Sequence, residues 1–217
     1  MITPKEINRN LLTNKSTELS PLLAAGEIDP RDVLRTISDL EQDKKLSEEQ
    51  QEYLSDIKRQ LVFREFARSA IEEQSYRQPP GARKTSKEFE KLKKGETGIP
   101  IIDASVKEMN ETGRPHNRAR LLLARYAIRN LNIDPEEVSI WLGKSFDDYD
   151  PVLTTFNVTS AASGANFGEP YFRKSNPLTA EKTLDPDKSY QKTWLPDGYK
   201  PRNEKKIYHI IEDGHGK

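Results

Sequence analysis

Apolar residues along this chain recur at helical spacing, and polar, proline or glycine positions cut the pattern into short segments. Val33, Leu34, Ile37 and Leu40 share one face of a helix opened by Asp29-Pro30. Tyr53, Leu54, Ile57, Leu61, Phe66, Ala70 and Ile71 do the same over the longest helical stretch. Ser47 and Gln50 open that stretch as a capping box, and Gln78-Pro79-Pro80-Gly81 ends it. Thr3-Pro4 and Ser20-Pro21 read as further starts, and Gly26 as a left-handed stop. A basic run from Arg83 to Lys94 reads as a loop and a short helix. The pattern then predicts helices over 103–112, 117–131 and 135–142, the last opened by Asp134-Pro135 with Glu136 and Glu137. Residues 143–177, rich in Gly, Ser, Asn and Thr, carry no long apolar period and read as a long loop, which is more often functional than idle. Asp185-Pro186 opens a final short helix to Trp194. No alternating strand and no internal repeat stands out. The expected fold is all-α: one helical domain over residues 1–196 and a surface tail over 197–217.

Composition changes this picture little. The chain has 217 residues, enough for one domain with a sizeable core. Charged residues make up 32% and hydrophobic ones 34%, so the helices should be well solvated on one side. The formal net charge is +0, so any nucleic-acid binding must come from a local basic face. No cysteine is present, which excludes disulfides, thiolate metal sites and cysteine nucleophiles. The three histidines lack zinc-ligand spacing, so no metal is expected. No segment reaches the ~20 apolar residues of a membrane span, and none after Met1 reads as a signal. The expectation is a soluble, cytoplasmic protein with no membrane partner.

The candidate chemistry is concentrated in TGIPIIDASVKEMNETGRPHNRAR, residues 97–120. One loop between two helices there presents an imidazole, an amide and two guanidiniums. This stretch resembles the core of the flavin-binding domain of DNA photolyases and cryptochromes. EPYFRKSNPLTAEKTLDPDKSYQKTWLP (residues 169–196) and STELSPLLAAGEIDPRDVL (residues 16–34) resemble the same family, in the family's order. The likeness covers about residues 16–196. In that reading Val152 to Val158, which has some β-branched character, becomes loop and helix start.

The resemblance implies FAD as cofactor and assigns it residues. Ser16, Thr17, Glu18, Leu19 and Ser20 match the segment that holds the diphosphate, where short hydroxyls and backbone N–H groups suit an anion. Taken alone, Ser16 or Thr17 reads more readily as a helix cap, the usual job of such residues. Asn117 would face the flavin, and Arg120 would pair with carboxylates of Asp148-Tyr149-Asp150 beneath the ring, tuning its redox and protonation state. The plain alternative is an ordinary interhelical salt bridge. Ile57 and Arg64 also fall at cofactor positions, and Thr154 at the position opposite flavin N5. The catalytic residues proper stay unassigned.

The same resemblance places a DNA-lesion pocket at Gln60, Phe63, Arg114, Asn117 and Arg118. Here the chain departs from the family: Phe63 stands where a stacking Trp is usual, and Arg114-Pro115 replaces a second Trp wall. The three positions of the family's electron-conducting tryptophans are Ala82, Pro135 and Val158, while Trp141 and Trp194 lie elsewhere. The basic run at 83–94 is either a phosphate-binding strip or a solvated face. The expectation from this length is a shortened flavin domain without the family's N-terminal antenna domain. The implied function is an FAD-binding protein for light-driven repair of pyrimidine dimers, with damaged or single-stranded DNA as partner. The alternative is a non-repair flavin- or DNA-binding module, with a protein partner supplying the missing antenna domain.

Overall fold

The structure, a computed structural model, describes residues 11–13, 19–42, 45–72, 82–163 and 175–202. These residues form α1 (Leu19–Ala25), α2 (Pro30–Leu40), α3 (Glu48–Glu72), α4 (Lys87–Lys94), α5 (Pro100–Thr112) and α6 (Asn117–Arg125). A π-helical turn, Tyr126–Asn130, continues α6, and α7 (Pro135–Ser145), α8 (Pro151–Ser163), α9 (Pro177–Leu184) and α10 (Ser189–Trp194) follow. The described residues hold no strand; a lone bridge pairs Arg83 with Ile133. The architecture is all-α, as the pattern predicts.

Local chemistry sets the helix starts. Ser47 and Gln50 form the reciprocal capping pair ahead of α3, with N–H to side-chain oxygen distances of 2.9 and 3.2 Å. Asp29 caps α2, Ser86 caps α4 and Asp134 caps α7. Gly26 ends α1 at φ +73°. Helix α5 begins at Pro100 rather than 103, because the Asp103 carboxylate turns back to accept N–H groups of Thr97 and Gly98 at 2.9 and 2.8 Å.

One helix, α8, lies inside the stretch read as a long loop, and another, α9, begins at its end. Asp150 accepts the N–H groups of Val152 and Leu153 at 3.0 and 3.1 Å, and Pro151 takes the first position, so α8 starts there. Helix α8 then packs against α3, α6 and α7. Covered on several sides, it needs no amphipathic stripe: Phe156, Val158, Ala161 and Thr154 are all buried. Asn176-Pro177 opens α9 in the same way, with the Asn side chain accepting from Leu178 and Thr179.

The main core gathers α4 to α8 with α10, around Ile101, Ile102, Met109, Leu123, Ile128, Leu142 and Tyr190. A smaller cluster of Ile37, Leu54 and Leu61 joins α1, α2 and α3. The first part of the expected surface tail folds back on this core: Tyr199 donates its hydroxyl to Asp103 at 2.6 Å, and the Arg202 N–H bonds Gly98 O at 2.7 Å. Asp103 is fully buried, so Tyr199 fills one of its remaining acceptor positions.

Candidate functional site

Two ion pairs converge at the N-terminal end of α8. Arg120, from α6, makes a two-bond fork to Asp148 at 2.8 and 3.1 Å. Its Nε donates to Pro115 O at 2.9 Å, and its guanidinium lies 4.2 Å over the Phe146 ring. Every part of that side chain is therefore held. The second pair is new to the reading. Arg64 and Arg68, one turn apart on α3, both donate to Asp150 Oδ2, at 2.8 and 2.7 Å. The sequence suggests one cation, Arg120, between two carboxylates. The structure instead pairs Arg120 with Asp148 and gives Asp150 two other cations, Arg64 and Arg68, because Asp150 Oδ1 is committed to the start of α8 and its other oxygen faces α3.

This donor set has an excess. Among the described residues, three guanidiniums (Arg64, Arg68 and Arg120) meet two carboxylates, Asp148 and Asp150. Arg64 is only 8% exposed, yet its Nε is buried with no hydrogen-bond partner. A surplus positive charge and an unused buried donor suit a group that brings negative charge and acceptor atoms. An FAD molecule, with its diphosphate and polar ring edge, fits that requirement.

Other expected site residues fall in different settings. Ser16, Thr17 and Glu18 lie outside the described residues. Leu19 and Ser20 form the start of α1. Arg64 Nη2 reaches Leu23 O of that helix at 3.4 Å, which brings α1 beside the Asp150 cluster. Thr154 is buried one turn into α8, its N–H bonded to Asp150 O at 2.9 Å. Tyr149 is exposed between the two aspartates and packs over Gly143. Ile57 sits apart, packed against the Ile37, Leu54 and Leu61 cluster. It shares a face of α3 with Arg64, two turns on.

Asn117 and Arg118 are exposed on the first turn of α6. His116 caps that turn: its Nδ1 accepts the Arg118 N–H at 3.1 Å, which leaves the proton on Nε2. Burial first, then the charges of Arg118 and Arg120, pull the His116 pKa down to about 4. Arg125 lies on the Arg118 face, two turns on, and burial followed by repulsion from Arg118 lowers its pKa. Gln60 is exposed on α3, and Arg114 turns to Asp147, with Nε 3.7 Å from its carboxylate.

The aromatic positions are also informative. Phe63 is 53% exposed and Phe66 52% exposed on α3. Both meet the buried Phe156 of α8 edge to face, with ring centroids 5.5 and 6.3 Å apart. Val158 is fully buried and Pro135 is buried, so neither position offers a conducting ring. Trp141 packs edge to face on Phe89 of α4, centroids 5.5 Å apart, on a side of α7 turned to the core.

Sequence reasoning missed Arg68, Glu108 and Tyr190. Arg68 had a signal: it shares a face with Arg64 at four-residue spacing. Glu108 and Tyr190 had none, since 82 residues separate the partners of their 2.6 Å hydrogen bond.

Comparison with known proteins places this arrangement. The family model described as the FAD binding domain of DNA photolyase matches residues 49–213. A deoxyribodipyrimidine photo-lyase of Vibrio cholerae is 30% identical over 192 residues, 84% of this chain and 40% of that protein. A chloroplastic/mitochondrial cryptochrome DASH of Oryza sativa is 30% identical over 203 residues, 89% of this chain and 34% of the relative. Among solved structures, a cryptochrome of Synechocystis sp. PCC6803 superposes with a TM-score of 0.72 at 25% identity, over 89% of this chain and 41% of that one. A bacterial class III photolyase from Agrobacterium tumefaciens gives 0.71 at 24% identity, over 99% and 44%, and supports the fold. The chain spans about two fifths of the photolyases it matches, 38% and 40% for two of them. The chain belongs to the family of FAD binding domains of DNA photolyase: an all-α, photolyase- and cryptochrome-like flavin-binding protein with FAD as its cofactor.

Proposed function

We propose that FAD lies between α3, α6 and α8, and that the chain uses it in light-driven chemistry on pyrimidine dimers in DNA. The observation that carries this reading is the surplus of three guanidiniums over two carboxylates, with the buried Arg64 Nε unpartnered among them. In this assignment the Arg120–Asp148 fork lies at the isoalloxazine ring, with Asn117 and Thr154 beside it. Arg64 Nε and the α1 start (Leu19, Ser20) serve the phosphates, together with Ser16, Thr17 and Glu18. Reduced and photoexcited, bound FAD supplies an electron donor. The protein's part is to hold the ring, fix charge at its edge and keep water off it.

Damaged or single-stranded DNA is the proposed substrate, as the photolyase names of the relatives suggest. Phe63 and Phe66 offer an exposed aromatic surface on which an extruded base can stack. Arg118 and Arg125 put two cations on one α6 face, where a phosphate relieves their mutual repulsion. Gln60 and Arg114 flank the same region in the family pattern. The test reduces the flavin chemically, then illuminates dimer-containing oligonucleotides. Loss of dimers supports repair.

A second reading has its own observation. Ala82, Pro135 and Val158 stand at the conducting positions, and Phe63 replaces the larger stacking ring. These favour a non-repair flavin- or DNA-binding module that acts with a protein partner. Absence of dimer loss with chemically reduced flavin, alongside retained FAD binding, selects it.

A further inference from the structure

Both carboxylates of the site ride on one short loop between α7 and α8, residues 146–150, and burial alternates strictly along it. The inner side chains, Phe146, Asp148 and Asp150, all meet guanidiniums: Arg120 over the Phe146 ring and on Asp148, Arg64 and Arg68 on Asp150. The outer side chains, Asp147 and Tyr149, are exposed, yet each is pressed against a glycine. A Cβ on Gly113 would lie 2.3 Å from Asp147 Oδ1, and a Cβ on Gly143 would lie 2.7 Å from Tyr149 Cε2 and 3.0 Å from its Cζ. Such atoms pack at about 3.5 Å or more, so neither place has room for a side chain. The Asp147 N–H also donates to Gly113 O at 3.0 Å.

The two glycines differ. Gly113 has a backbone reason to be glycine, since it ends α5 at φ +65°, in the left-handed region. Gly143 has none: it lies inside α7 and outside that region. A glycine inside a helix weakens it relative to alanine. What the missing side chain provides at 143 is a seat for the Tyr149 ring. We propose that Gly143 and Tyr149 are a positioning pair for the flavin site: the ring, seated on bare α7 backbone, holds the loop from outside so that Asp148 and Asp150 keep their cations. This rests on the FAD reading above and extends it to Gly143, a residue outside that site. A methyl group at 143 would push the ring off α7 or move the backbone that carries it. Both outcomes loosen the aspartates on either side of Tyr149. The Arg120 fork is the sensitive member, because its bonds of 2.8 and 3.1 Å need both Asp148 oxygens aligned with the guanidinium.

Arginine side-chain NMR on the full chain tests this without depending on cofactor. The readout is the rate at which the Arg120 guanidinium turns about its Nε–Cζ bond, which the fork to Asp148 slows. Gly143→Ala should speed that turn about tenfold, the equivalent of one lost charge-assisted hydrogen bond, in a chain that circular dichroism shows to be folded. In the FAD arm, Gly143→Ala should raise the dissociation constant roughly tenfold, within the range for coupling through packed networks. Tyr149→Phe keeps the ring and should match the unmutated chain in both arms, whereas Tyr149→Ala should speed the turn. With Tyr149→Ala already present, Gly143→Ala should add little, because no ring remains for the methyl group to strike. Unchanged Arg120 rotation in folded Gly143→Ala, or fully additive losses in the double variant, would overturn the proposal. If the unmutated chain takes up no FAD, the cofactor reading fails and the NMR arm still decides the role of Gly143. Should Gly143→Ala not fold, Tyr149→Ala carries the test: faster Arg120 rotation is expected, and an unchanged rate contradicts it.

Discussion

Arg64 and Arg68 stand one turn apart on α3 and donate to the same oxygen of Asp150, at 2.8 and 2.7 Å. One carboxylate thus restrains two cations while its other oxygen starts α8. The two arginines differ in burial: the Arg64 side chain is 9% exposed and that of Arg68 42%.

That difference gives the first prediction. Asp150→Asn should destabilise the chain by about 3–5 kcal/mol, because it keeps the α8 cap but leaves a buried guanidinium uncompensated. Arg68→Ala should cost under about 1 kcal/mol, as for an exposed pair. Denaturant unfolding of both variants checks this. Equal losses would mean that Arg68, not Arg64, carries the contact.

Acid should weaken the fold through His116. Its pKa is about 4 in the folded chain against an ordinary 6.5, so the unfolded chain takes up a proton first. Stability therefore falls as pH drops from about 6.5 towards 4, and this contribution is lost below that window; the linkage is on the order of 3 kcal/mol. Glu108 acts in the opposite sense: its raised pKa adds stability at low pH that is lost as pH rises through the folded value. His116→Asn keeps a cap that does not titrate, so its unfolding midpoint should vary less over the same range. An unchanged pH slope in that variant would contradict the assignment.

Much of the fold was legible because many helices carry their own punctuation. Ser47 with Gln50, Asp29-Pro30 and Asp134-Pro135 all cap helices where the sequence places them. Helix α8 was not legible. Residues 151–163 are buried from several sides and rich in Thr, Ser and Ala, so no apolar stripe marks them. The Arg120–Asp148 partnership could be read from the family pattern. The Arg64–Asp150 pair could not, since it depends on how α3 packs across the end of α8.

Photoreduction of bound flavin should be slow. Ala82, Pro135 and Val158 offer no aromatic ring, and Trp141 is turned to Phe89. Time-resolved absorption under blue light with an external reductant measures the rate. Rapid formation of a long-lived tryptophan radical would reveal a route through Trp141 or Trp194.

DNA binding should depend on two separable features. Phe63→Ala should weaken binding of dimer-containing single strands by about 1–3 kcal/mol, the worth of one stacked base, with little change in stability because Phe63 is half exposed. Arg118→Ala should instead lower the salt dependence of binding, by a slope of about 0.7 on single strands. Fluorescence anisotropy over a salt series distinguishes them. Binding insensitive to both substitutions would remove this face from the substrate path.

The most direct test of the account is an FAD titration of the purified chain and of Arg120→Ala, read from the visible flavin band with circular dichroism as the folding control. The account predicts that the unmutated chain binds FAD and that folded Arg120→Ala loses it, since Asp148 is left without its cation beside the ring. A folded chain that takes up no FAD, or an Arg120→Ala variant that binds it as tightly, would contradict the proposed site.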